Sequence, residues 1–264
     1  MSLDVLFINP GNAKKIYQDL AKDYSAIETP TWALLLAESC RSVGHDVAIL
    51  DANAERLSDT VVIQRIKNLN PRLICFVVYG QNPNSGTVNM SGTCALASEI
   101  KKAGINIPIS IVGSHVQSLP YETLTNEKDI DIIFANEGVY ALRNLLEKED
   151  LHDVDELSTV RGIGFRRQGE AFLTPPERVV PQSRMDTDLP GYAWDLLPYK
   201  EKPLDLYRAP MWHADYIQEN RFPYAALYTS LGCMFKCSFC MINILNRDNN
   251  DPIGVASNYS GMRF

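Results

Sequence analysis

The chain has 264 residues, 45% apolar and 22% charged, the profile of an ordinary soluble globular protein long enough for one large domain or for one domain and part of a second. With 25 Lys and Arg against 32 Asp and Glu the net charge is −7, which argues against a general nucleic-acid binder or a binder of anionic membranes. No apolar run approaches the roughly 18–20 residues of a membrane span and Met-Ser-Leu-Asp-Val is no signal peptide, so the expected location is the cytoplasm, where thiols stay reduced.

Residues 1–150 alternate strand and helix signals, the pattern of an α/β doubly wound parallel sheet. Leu3 to Ile8 reads as a first strand that breaks at Asn9-Pro-Gly. Thr29-Pro30 predicts an N-cap with proline at the first helical position, and that helix stops at Gly44. Asp46 to Leu50 is the second predicted strand, followed by a helix that Ser58 caps and that carries Val62, Ile63, Ile66 and Leu69 at helical spacing. Leu73 to Val78 is the third strand, and a helix after it ends near Gly104. Pro108 to Val112 is the fourth and runs into Gly113-Ser-His-Val-Gln117, read as a polar loop. Asp131 to Phe134 is the fifth and opens into Asn136-Glu-Gly138 before a helix over Val139 to Leu146. Cys40, Cys75 and Cys94 fall inside apolar patterns and read as small core residues.

In such sheets ligands sit outside the carboxyl ends of the strands, here the loops at 9–12, 51–55, 79–86, 113–117 and 135–138. A G-x-G-x-x-G fingerprint is missing, which argues against a nicotinamide or flavin dinucleotide. His45 reads as a structural residue of a helix–strand turn.

From Leu151 the pattern changes. Gly162 to Phe172 predicts a hairpin turning at Gln168-Gly169. Prolines then become frequent, and Asp188 to Pro198 reads as a connector whose Tyr192, Trp194 and Leu196 are packing groups. The expected division is residues 1–150, then a hairpin and Pro-rich connector over 151–221, then 222–264.

That last segment holds Cys233, Cys237 and Cys240 in the spacing C-x3-C-x2-C. An apolar run, Tyr224 to Tyr228, reads as a buried strand leading in, and Gly232 supplies the turn. Three thiolates without a fourth suit an iron–sulfur cluster with one iron open to a non-protein ligand. Half of a zinc site and a disulfide are the competing readings. For zinc the distant His213 is an unconvincing fourth ligand, and nothing else in the chain points to an oxidising compartment.

With Phe239 before the last cysteine, this stretch resembles the signature of radical S-adenosylmethionine (radical SAM) enzymes. The resemblance implies a [4Fe–4S] cluster on Cys233, Cys237 and Cys240, S-adenosylmethionine on the open iron, and Phe239 beside the adenine. The N-terminal half is similar to the cobalamin (B12)-binding domain that precedes the barrel in one class of these proteins. The matching pieces are Thr-Pro-Thr-Trp-Ala-Leu-Leu-Leu-Ala37, Gly44-His-Asp-Val, Asp51-Ala-Asn-Ala-Glu, Gly113-Ser-His-Val and Glu137-Gly138.

The fold so implied is a Rossmann-like sheet of the cobalamin-binding type, then the hairpin and linker, then the start of a partial (β/α) radical SAM barrel. Asn82, Ser85, Gly113, Ser114, His115, Glu137 and Gly138 become the candidate cobalamin contacts, against a reading as ordinary loop residues. Asn9-Pro-Gly-Asn-Ala-Lys carries no D-x-H-x-x-G histidine, so cobalt is expected to lack a histidine ligand from that loop. The implied chemistry is reductive cleavage of S-adenosylmethionine to a 5′-deoxyadenosyl radical, for methyl transfer to an unactivated carbon or its rearrangement. Flavodoxin or ferredoxin would be the electron donor and a small molecule or peptide the substrate. The alternative is a non-catalytic cobalamin- or small-ligand-binding module with a vestigial cluster loop.

After Cys240 only 24 residues follow, fewer than the about 30 of one β–α unit. The expectation is therefore the N-terminal portion of a longer enzyme, unable to turn over S-adenosylmethionine alone.

Overall fold

A computed structural model describes residues 3–11, 26–79, 89–198, 206–235, 237–240, 242 and 262–264. Seven strands form one sheet in the order β2-β1-β3-β4-β5-β6-β7. β1 (Val5–Asn9), β2 (Val47–Asp51), β3 (Leu73–Val78), β4 (Ile109–Gly113) and β5 (Ile132–Phe134) are mutually parallel, and β6 (Ile163–Arg167) and β7 (Glu170–Leu173) complete the sheet antiparallel. The predicted hairpin turns at Gln168 and Gly169, both at positive φ (54° and 87°), the two-residue turn whose twist matches the strands. It does not stand apart from the sheet: Ile132 pairs with Phe165 and Phe134 with Ile163, so the sheet runs on past residue 150.

Strand residues alternate between two cores. Val5, Phe7, Cys75 and Phe134 face one side, covered by α1 (Thr31–Arg41) and α6 (Val139–Leu146). Leu6, Ile8, Phe76 and Ile111 face the other, covered by α2 (Asp59–Leu69) and α3 (Met90–Lys102). Burial on both faces explains why these strands read as continuous apolar runs instead of alternating ones. Cys40 and Cys75 are buried in the first core, and the half-buried Cys94 packs against the second. Ser58 caps α2 as expected, its Oγ accepting from the Val61 amide at 3.4 Å.

Two expectations are corrected. Thr29 does not cap α1, which starts at Thr31 with Pro30 at its N-cap position and no side-chain cap. The hydroxyl is instead spent on a residue far along the chain, described below. The second correction is Tyr224–Tyr228, which is no strand and is not buried: it joins no sheet, and Leu227 and Tyr228 are 57% and 40% exposed. An apolar run becomes a strand only when a neighbouring strand takes its backbone groups, and here side chains take them.

The connector packs down after β7 and returns over α1 and α6. Tyr140 donates to Asp188 at 2.5 Å and Arg184 donates to it at 2.8 Å. Arg184 holds the Asp188 carboxyl well below the ordinary carboxylate range. Tyr192 and Leu196 pack against the first core, and Trp194 stacks tilted on Tyr192 at 5.2 Å between ring centroids.

Candidate cofactor face and cysteine loop

Five strand ends build the carboxyl face of the sheet. At the β1 and β2 ends, Asp51 is fully buried and accepts from Asn9 Nδ2 (2.8 Å), the Ala54 amide (3.0 Å) and the Tyr207 hydroxyl (2.8 Å). Burial pushes its carboxyl up to about 6 even though all three donors favour the charged form. At the β3 end, Tyr79 accepts from Gln117 Nε2 at 2.7 Å, and burial drives its phenol far above the ordinary range.

At the β4 end, Gly113 has no room for a side chain, because a Cβ there would lie 2.2 Å from the Val78 carbonyl oxygen. The expected polar loop after it is a short helix, α4 (Ser114–Ser118), with α5 (Pro120–Asn126) following it. It carries Ser114 and Gln117 inward, and among the described residues the Ser114 hydroxyl and the Gln117 amide oxygen are buried without a hydrogen-bond partner. His115 is half-buried on the same turn, and desolvation lowers its imidazole below the ordinary value while Glu127 and Glu122 oppose that shift. At the β5 end, Asn136 Oδ1 accepts from the Gly138 amide at 3.0 Å, and Gly138 starts α6 at φ 81°. Glu137 does not face open space. Its carboxylate accepts from the Val180 amide and pairs with Arg263, and its carbonyl accepts from Trp32 Nε1 at 3.2 Å.

The cysteine segment is tied to this face at three points. Thr31 Oγ1 donates to the Ala226 carbonyl at 2.9 Å, and the Ala226 amide donates to Thr29 Oγ1 at 3.1 Å. The Tyr192 hydroxyl accepts from the Tyr228 amide (2.9 Å) and donates to the Tyr228 carbonyl (2.8 Å). Leu231 and Arg263 exchange two backbone bonds of 2.8 Å each. The Trp32 ring meets Tyr228 edge-on at 6.0 Å.

Beyond Leu231 the loop is open. Cys233 and Cys240 are half-buried and Cys237 is exposed, and Phe239 is 80% exposed. The Phe235 amide donates to Cys233 Sγ at 3.4 Å. Among the described residues no three His, Cys, Asp or Glu side chains are drawn together as a metal site.

Of the residues singled out by sequence, Gly113, Ser114, His115, Glu137 and Gly138 lie at two adjacent strand ends, and Asn82 and Ser85 lie outside the described residues. Thr29 and Thr31 were read only within a helix start and Tyr192 only as a packing group; together with Tyr207 and Arg263, which no motif marks, they carry the attachment. Among the described residues no helix is long and apolar enough to cross a membrane.

Residues 18–146 match the B12 binding domain family. The chain is 26% identical over 196 residues to an uncharacterized methyltransferase, PH0819, of Pyrococcus horikoshii, covering 74% of this chain and 37% of that protein. It is 24% identical over 211 residues to the anaerobic magnesium-protoporphyrin IX monomethyl ester cyclase of Synechocystis sp., covering 80% of this chain and 37% of the cyclase. It thus spans little more than a third of the curated relatives it matches. In fold it is similar to the cobalamin-dependent S-adenosylmethionine radical enzyme OxsB, solved with aqua-cobalamin and S-adenosylmethionine bound, at TM-score 0.63 and 17% identity over 99% of this chain and 30% of that one. With a stretch that matches the B12 binding domain over residues 18–146 and a C-x3-C-x2-C loop fastened to the carboxyl end of its sheet, the chain resembles the radical SAM proteins that carry a B12-binding domain.

Proposed function

We propose that this chain holds cobalamin on the carboxyl face of its sheet and a [4Fe–4S] cluster on Cys233, Cys237 and Cys240, as the cofactor-binding part of a radical SAM enzyme of the methyl-transfer type. The carrying observation is the fastening of the cysteine segment, at Ala226, Tyr228 and Leu231, to that same face.

The residues present fit both groups. The Ser114 hydroxyl and the Gln117 amide oxygen are orphaned at the β4 end, and the amide-rich rim of a corrinoid offers partners to both. Three cysteine thiols on one loop, one already receiving an amide hydrogen bond, are the donor set of a cluster with an open iron. Their sulfurs gather on loading, as metal binding and local folding are coupled. When bound, the cluster supplies the electron that cleaves S-adenosylmethionine, and cobalamin supplies the methyl group. The chain's residues bind and orient: Ser114 and Gln117 present polar atoms, Gly113 keeps the β4 end flush against Val78, and the cysteines hold iron. Phe239, largely exposed, offers a ring face to an adenine.

Anaerobic reconstitution with iron and sulfide tests the reading. The chain should take up about four irons and absorb broadly near ~400 nm, and alanine at Cys233, Cys237 or Cys240 should abolish this while Cys40→Ala should not. Hydroxocobalamin should bind base-off in equilibrium dialysis. Stoichiometric zinc without sulfide, or no cobalamin affinity, overturns it.

A further inference from the structure

We infer that Glu137 and Arg263 are a positioning pair, fixing the lead-in of the cysteine loop to the β5–α6 corner of the cofactor face. The inference rests on the reading of Cys233, Cys237 and Cys240 as cluster ligands, since that reading gives the positioning its purpose.

Both side chains are buried, Glu137 4% and Arg263 2% exposed. The guanidinium meets the carboxylate on two nitrogens, Nη2 to Oε2 at 2.8 Å and Nη1 to Oε1 at 3.3 Å. Val180 is gripped from both sides, its amide donating to Glu137 and its carbonyl accepting from Arg263. The path then turns into backbone. The Arg263 amide donates to the Leu231 carbonyl and the Leu231 amide to the Arg263 carbonyl, both at 2.8 Å. Leu231 packs in the same apolar cluster as Val139 and Val180, and Cys233 is two residues on.

A buried ion pair is weak support for stability, because an apolar pair of similar volume often serves as well or better. What apolar residues lack is the two-pronged geometry that fixes one register between a carboxylate and a guanidinium. Register is what a cysteine loop needs if its metal is to stand at a set distance from a second cofactor. The corner reads the segment a second time, since the Glu137 carbonyl holds the indole of Trp32, whose ring abuts Tyr228. The short run from Tyr228 to Leu231 is therefore held at both ends by groups that meet at Glu137.

Hydrogen exchange by mass spectrometry on the whole chain tests this, comparing wild type with Arg263→Ala, Arg263→Lys and Glu137→Gln. The Leu231 amide should exchange about tenfold faster or more in Arg263→Ala, and less so in Glu137→Gln, while β3 amides stay as slow as in wild type. Arg263→Lys, which keeps a cation opposite Glu137, should recover much of the protection. Hydroxocobalamin added to wild type should slow exchange at both Ser114–Ser118 and Leu231; in Arg263→Ala it should slow the first alone.

Unchanged Leu231 exchange in Arg263→Ala, or equal protection of Leu231 by hydroxocobalamin in that variant, overturns the positioning role. So does loss of β3 protection in all three variants, which would make the pair a general support of the fold. If hydroxocobalamin protects nothing even in wild type, the cobalamin reading fails, and the cofactor-free comparison still decides the pair.

Discussion

β3 and the segment from Tyr224 to Leu231 are both apolar stretches next to the candidate site, and they are held in opposite ways. β3 lies between β1 and β4, hydrogen-bonded along both edges, with all six residues buried. The cysteine segment touches no strand ladder. Its backbone is held at separate points by Thr29, Thr31, Tyr192 and the backbone of Arg263, and Leu227 and Tyr228 stay exposed between them. A ladder is cooperative, so one loss is felt throughout; separate fastenings give way one at a time. A rigid floor with an individually pinned loop above it suits a site where one part is fixed and the other must close around a metal.

The largest effect should come from the floor. Phe76→Ala, at a fully buried position, should cost about 3–5 kcal/mol in denaturant unfolding, whereas Leu227→Ala in the pinned segment should stay within about 0.5 kcal/mol. Comparable losses at the two positions would break the contrast.

The seam between the regions should respond to pH through Asp51, which joins the β2 end to Tyr207. Its carboxyl sits at about 6 in the fold against an ordinary 3.8, so between those values the native state binds more protons than the unfolded one. Stability from this group is full below about pH 4 and is lost as pH rises through about 6, a change of up to ~3 kcal/mol. Asp51→Asn should flatten that part of the stability profile; an unchanged slope would show that the seam does not sense the proton.

The smallest effect belongs to one pin. Tyr192→Phe deletes both bonds to the Tyr228 backbone and should cost about 0.5–1.5 kcal/mol locally. It should appear as faster exchange of the Tyr228 amide with no shift in the global unfolding midpoint. A global shift would mean that the pins and the ladder unfold as one unit.

The floor was far more legible in the sequence than the pins. β3 was readable to the residue because a strand buried on both faces is a continuous apolar run, and the hairpin turn was readable because Gln168-Gly169 must take positive φ. The attachment of the hairpin to β5 was hidden, since pairing across the sheet leaves no local pattern. Thr29 looked like a cap because a threonine before proline at a helix start usually is one, and its actual partner is 197 residues away. Glu137 was singled out as a cofactor contact at a helix start, but its partner Arg263 lies 126 residues on in a stretch with no periodicity. The three cysteines were legible by spacing alone, which is chemistry written locally.

The separation between Thr31 and Ala226, 195 residues, also has a meaning in time. On a ribosome adding about 5–20 residues per second, roughly 10–40 s pass between synthesis of the two. By then the chain through Leu173 has been made, so the sheet can close and Thr29, Thr31, Glu137 and Tyr192 can stand ready before the first of the three loop cysteines is translated. The thiols would then emerge onto a surface complete but for Arg263, and their chance of pairing wrongly during synthesis is correspondingly brief.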